Sequence, residues 1–213
     1  MIKLHCFCQS GNAYKVALAL RAMGLEWEPV FVDFMSGATR DPEWRDNSNI
    51  MGEIPVLEDG DLKLTQSGAI LLYLAEKTGQ FGGKTAQEKQ EILRWILFDN
   101  HKFTSYFATY RFLKSFSEKE PDATIMAFLK GRVMSAFKIV EKHLTESEFI
   151  VGAHPTIADF SLCGYLFYPL DESGIEISQH FPHIAAWRAR IRALPYWGDP
   201  YSIMPGDVLL PKW

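Results

Sequence analysis

The stretch Cys6–Leu20, CFCQSGNAYKVALAL, decides how the chain is read. Ahead of and into it, Ile2 to Phe7 is a short apolar run of strand character. From Ala13 the residues Val16, Leu20 and Met23 recur at helical spacing until Gly24 ends the run. Between these two patterns Gln9-Ser10-Gly11-Asn12 places small and polar residues, so the sequence predicts strand, turn, helix with a hydroxyl at the helix mouth. Ser10 and Asn12 are residue types that cap helices well. A helix start also offers free N–H groups and the positive end of the dipole, which favour negative charge. The turn therefore reads either as a plain cap or as a place where chemistry happens.

Outward from that turn, Trp27 to Val32 predicts a second strand, and Pro29, which has no N–H for a ladder, places it at a sheet edge. A polar stretch from Ser36 to Asn49 holds one short helix around Pro42 to Arg45. Asp59-Gly60 between the apolar runs Val56-Leu57 and Leu62 to Leu64 signals a hairpin. Ser67 is placed to cap a helix carrying Ile70, Leu71, Leu74 and Ala75. Beyond the glycine cluster Gly79 to Gly83, strand signals vanish. One long helix is expected from Ala86 to about Phe116, a second striped by Ile125, Leu129, Val133, Ala136, Val140 and Leu144, and another striped by Ile184, Trp187, Ile191 and Leu194. Thr156, three residues before Asp159, opens an apolar helix with a capping box. The expected fold class is thus an α/β unit, residues 1–80, followed by an all-α unit, residues 86–213.

Composition narrows the function. With 47% hydrophobic and 23% charged residues over 213 positions, the chain has the make-up of a globular protein. A net charge of -4 and no dense Lys/Arg block give no field for nucleic acid or for an anionic membrane. No apolar run approaches a membrane span, and Met1 to His5 lacks the layout of a secretory signal, so a cytoplasmic protein is expected. Three cysteines, Cys6, Cys8 and Cys163, make a poor disulfide framework and suit a reducing compartment. Cys6-Phe7-Cys8 is not a CxxC pair, and the histidines form no HExxH or close carboxylate cluster, so no metal is expected.

Three pieces, QSGNAYKV at 9–16, GEIPVL at 52–57 followed by TQSGAILLYLAE at 65–76, and TIAD at 156–159, occur in an order and at separations that resemble the cytosolic glutathione transferase family. The likeness covers nearly the whole chain and is closest to theta- and zeta-like bacterial members with an active-site serine. It implies a thioredoxin-like first unit, a helical bundle, a homodimer, and an enzyme that adds the glutathione thiolate to a small hydrophobic electrophile. Ser10, six residues before Val16, keeps the spacing of the family's catalytic serine, and Asn12 stands where nu-like members place an asparagine near the sulfur. Cys8 ranks behind them, because the cysteine of beta- and omega-like members aligns with Ser10. Ile54-Pro55 matches the family's cis proline, and Glu53, Ile54, Pro55, Gln66 and Ser67 are implied to hold glutathione, with Arg40 meeting its glycyl carboxylate. Asp99 or Asn100 is implied to reach a neighbouring subunit's ligand, and Phe103, Tyr106 and Tyr110 to line the electrophile pocket. A thiol of ordinary pKa about 8.5 is mostly protonated at neutral pH, so a fall of even one unit multiplies its thiolate severalfold. The same resemblance admits a maleylacetoacetate-type isomerase, a disulfide reductase and a non-catalytic binding module. The zeta-like pattern, however, has Ser-Ser-Cys where this chain has Ser10-Gly11-Asn12.

Overall fold

In the computed structural model, which describes residues 1–213, the opening strand β1 (Ile2–Cys6) runs into α1 (Gly11–Ala22) through the Phe7–Ser10 turn. β2 (Trp27–Phe31), α2 (Pro42–Asn47), β3 (Val56–Asp59), β4 (Leu62–Thr65) and α3 (Ser67–Thr78) complete the first unit. The sheet order is β2-β1-β3-β4, with β1 parallel to β2 and the other pairs antiparallel. Pro29 therefore sits on an edge strand, opposite Leu4. The hairpin turn falls on Gly60-Asp61, one residue later than the Asp-Gly signal, and Gly60 takes the positive φ of 62° that the turn requires.

The second unit is helical: α4 (Ala86–Phe98), α5 (Thr104–Phe116), α6 (Ala123–His143), α7 (Ile157–Leu162), α8 (Leu170–Ser173), α9 (Ile177–His180), α10 (Pro182–Arg192) and α11 (Pro200–Ile203). No helix is long and apolar enough to cross a membrane. The long helix expected from Ala86 to Phe116 is interrupted by a π-helical turn, Asp99–Phe103. Its cause is visible in the packing. Asp99 is fully buried and holds Lys15 Nζ of α1 at 2.6 Å, also fully buried, while Ser161 and Thr104 each donate a hydroxyl to its carboxylate at 2.6 Å. Buried charges cost several kcal/mol each unless paired and hydrogen-bonded, so this four-residue knot decides where the backbone must widen.

One buried apolar cluster runs through both units, from Leu4 and Leu18 beside the sheet to Phe137 and Trp187 among the helices. Asp159 fastens the helical side: its carboxylate accepts the N–H of Ile150 (2.9 Å), the N–H of Thr156 (2.8 Å) and Trp187 Nε1–H (2.9 Å). The Thr156 hydroxyl caps Ala158 N–H at 3.2 Å, completing the box at the head of α7. The C-terminal residues strap the first turn to α5. Cys8 N–H donates to Pro205 O (2.8 Å), Gln9 Nε2 to Asp207 O (2.6 Å) and Lys212 N–H to Ser115 O (3.0 Å).

Candidate functional site

The β1–α1 turn, the segment before β3, the start of α3 and one face of α5 enclose a cleft of about 490 Å³. Of the residues expected to act, Ser10, Asn12, Glu53, Ile54, Pro55, Gln66 and Ser67 all line it. Ser10 is the N-cap of α1, in extended backbone geometry, and its Oγ accepts Ala13 N–H at 3.1 Å. A hydroxyl accepts through lone pairs and donates its proton separately, so capping leaves that proton for a ligand. The two readings of the turn are compatible.

At α3 the structure differs from expectation. Ser67 does not cap the helix; it is the first helical residue, and Gln66 is the N-cap, with no side-chain cap. Gln66 holds φ 68° and ψ 111°, a conformation that residues with a Cβ seldom adopt. The Gln66 amide is turned instead to Glu53, donating to its carboxylate at 2.8 Å. The first N–H groups of α3 thus stay without a side-chain acceptor from the protein, and buried Ser67, which opens the helix, lines the cleft. The Ile54–Pro55 bond is cis. Asn100, on the π turn, lines the same cleft, packed so closely that a Cβ on Gly68 would lie 2.8 Å from its Nδ2.

The α5 wall corrects the expected electrophile pocket. Phe103 is core, stacked on Phe137 at 4.8 Å; Tyr110 is buried in the same cluster; Tyr106 takes a hydrogen bond from Arg132 at 3.1 Å. None of the three lines the cleft, which meets Thr104, Ser105, Ala108, Thr109, Phe112 and Phe116 instead. The more apolar stripe of α5 went to the core, as burial favours, and left a small, mixed-polarity face with two phenylalanines to the cleft. Phe34 forms the opposite apolar wall, stacked on Phe7 at 5.1 Å. Arg40 is exposed and stands in a neighbouring groove that shares Met35, Phe112 and Phe116 with the cleft. Asp99 is consumed by Lys15 and does not reach the cleft.

Sequence reasoning missed Gln9, Phe34, Phe112, Phe116, Arg111 and Tyr165. Arg111 is buried beneath the cleft floor. It pairs with Glu172, donates to Gln9 O at 2.9 Å, and lies 3.9 Å from the centre of the Tyr168 ring. Its one signal was a lone arginine among the aromatic residues of α5. Cys8 is shut off beneath the C-terminal strap, and burial pushes its thiol up to about 11, so it is protonated at neutral pH and remote from thiolate chemistry.

Family models for the glutathione S-transferase N-terminal domain match residues 2–76 and for the C-terminal domain residues 102–195. The chain belongs to the glutathione S-transferase family. It is 30% identical to a glutathione S-transferase of Silene vulgaris over 92% of this chain and 94% of the other. It is similar to the crystal structure of a Pseudomonas fluorescens glutathione S-transferase, at 32% identity and TM-score 0.84 over 93% and 98% of the two chains. A second family member from that organism, solved with two glutathione bound, is 25% identical, with TM-score 0.80 over 92% and 89%. The protein is therefore a glutathione transferase, with a thioredoxin-like sheet unit followed by the family's helical unit.

Proposed function

We propose that this transferase binds glutathione in the cleft, holds its sulfur as thiolate beside Ser10, and adds that sulfur to a small hydrophobic electrophile. The observation that carries the reading is convergence: an uncapped helix start at Ser67, the Ile54-Pro55 edge and a hydroxyl with a free proton at Ser10 line one cleft sized for a tripeptide. In this arrangement the γ-glutamyl carboxylate sits at the α3 N-terminus, where N–H groups and dipole favour it. The cysteinyl backbone lies along Ile54, and Glu53 and Gln66 hold the γ-glutamyl amine and carboxylate ends. The thiol then reaches the mouth of α1, where Ser10 donates to the sulfur and Asn12 stands beside it. The electrophile packs between Phe34 and the Phe112 and Phe116 face of α5. The glutathione-bound Pseudomonas fluorescens relative supports the ligand. We assign the chain to the serine-type, theta- or zeta-like branch, acting as a cytoplasmic homodimer with its two units at 1–80 and 86–213 and needing no metal.

Calorimetry with glutathione, followed by turnover of a chloronitrobenzene, a mixed disulfide and a maleyl compound, tests the proposal. Micromolar to millimolar binding with conjugation of the chloronitrobenzene is expected. A folded sample that does not associate with millimolar glutathione would end it, and turnover confined to the disulfide or the maleyl compound would replace conjugation with reduction or isomerisation.

A further inference from the structure

We infer that Tyr165 is a second hydrogen-bond donor to the sulfur, reaching from the helical unit across the mouth of α1. The inference rests on the glutathione reading above and goes beyond it, because Tyr165 belongs neither to the first unit nor to any of the three sequence pieces that carried the resemblance.

Four observations converge on this residue. Tyr165, between α7 and α8, lines the cleft together with Ser10 and Asn12. Its ring lies directly over the first turn of α1: a Cβ added to Gly11 would fall 2.6 Å from its Cδ2 and Cε2, so position 11 must be glycine while the ring is there. The Arg111 guanidinium lies 5.5 Å from the Tyr165 ring centre. Finally, nearby tyrosines spend their protons on the backbone, Tyr168 on Cys8 O at 2.7 Å and Tyr14 on Gly198 O at 2.9 Å, whereas Tyr165 makes no such bond.

Lining the cleft with no protein acceptor for its proton, the Tyr165 hydroxyl can donate that proton to a ligand. Burial raises the phenol above its ordinary value, and Arg111 with the Asn12 and Gly11 amides pulls it back only in part, so the group stays neutral at pH 7. The charged and titratable groups around it are Arg111 on α5, Tyr168 beside it in the chain, and Asp99 on the π turn, the last neutralised by Lys15. Tyr165 therefore donates without giving up its proton, and the proton of the thiol leaves to water. Ser10 from one unit and Tyr165 from the other then grip one sulfur, which makes thiolate formation depend on the junction between them.

The test is Tyr165→Phe, which keeps the ring over Gly11. Thiolate absorbance of bound glutathione is followed against pH, alongside kcat and KM and the affinity for S-methylglutathione, which has no thiol to ionise. The expected result is a rise of about one unit in the bound thiol's pKa. Thiolate and kcat then fall about tenfold at pH below the titration and recover at high pH, while S-methylglutathione affinity stays within about twofold. An unmoved thiol titration overturns the inference, as does a loss of rate that is the same at every pH or that follows the choice of electrophile. If the wild-type protein binds no glutathione, the underlying reading falls and this falls with it. If it binds and Ser10→Ala alone moves the titration, only this inference falls. Should Tyr165→Phe not fold, fluorotyrosine at 165, a stronger donor on the same ring, is expected to lower the thiol pKa, and an unchanged value refutes the role.

Discussion

Replacing Ser10 separates its role as the α1 cap from the role at the sulfur proposed above, because alanine and glycine remove the same hydroxyl but differ as helix caps. The Oγ of Ser10 accepts Ala13 N–H at 3.1 Å. Losing that bond costs about 1 kcal/mol in the alanine variant and only a few tenths in the glycine variant. For a chain of this length those values correspond to a fall of about 2–4 °C in Tm for Ser10→Ala and under about 1–2 °C for Ser10→Gly. Catalysis should show no such difference. A hydrogen bond to a charged partner contributes about 1.5–3 kcal/mol, which at 1.36 kcal/mol per unit raises the thiol pKa by about 1–2 units in both variants. Conjugation should then fall about 10- to 100-fold at pH below the thiol titration and return towards wild type well above it. The assay is kcat/KM against pH for one chloronitrobenzene, with Tm read on the same samples. Rates that rank with Tm, with Ser10→Gly close to wild type, would show that the hydroxyl serves the helix and not the sulfur.

The buried knot at the π turn is expected to behave as a unit. Lys15→Met strands the Asp99 carboxylate and should cost about 3–5 kcal/mol by denaturant unfolding, while adding Asp99→Asn should restore part of that loss; strictly additive costs would mean the pair is not coupled in the folded protein. Glu141 on α6 accepts the N–H groups of His183 and Ile184 at the start of α10, and these bonds outweigh burial and hold its carboxyl below the ordinary 4.5. A depressed carboxylate stabilises the fold above its unfolded pKa and loses that contribution as pH falls through the folded one. Glu141→Gln should therefore lower stability by about 1 kcal/mol at pH 7, with the gap to wild type closing below pH 4.5, and a gap constant down to pH 3 would contradict the assignment. Cys8, raised to about 11 and covered by the strap, should resist iodoacetamide at pH 8 in the native protein and react once unfolded. Rapid native labelling seen by mass spectrometry would place it in an open, ionised setting.

What could be read from the sequence and what could not divide along one physical line. The β1–α1 turn, the hairpin and the Thr156–Asp159 box are written in residues within a few positions of one another, where capping and turn chemistry act, and the Ser10 side of the cleft was legible for that reason. Ser67 was misread as a cap because capping preference ranks residue types and says nothing of the backbone. Gln66 took the positive φ and moved the helix start back by one. Lys15 and Asp99 lie 84 residues apart and Arg111 and Glu172 lie 61 apart, so nothing local announced either pair.

The α5 wall failed for a subtler reason. Each residue turns a helix by about 100°, so moving from Phe103 to Thr104 or Ser105 carries the chosen stripe to another side. The π turn Asp99–Phe103, which resets that phase, leaves no mark in hydrophobic periodicity, because its cause is a buried carboxylate meeting a lysine from α1. The consequence reaches function. The turn-built side of the cleft is written in local sequence, whereas its α5 side follows a π turn whose Asp99 pairs with Lys15, 84 residues away. On the function proposed above, substitutions in the β1–α1 turn should move the thiol titration, and those that relax the knot should alter which electrophiles are accepted before they alter glutathione affinity.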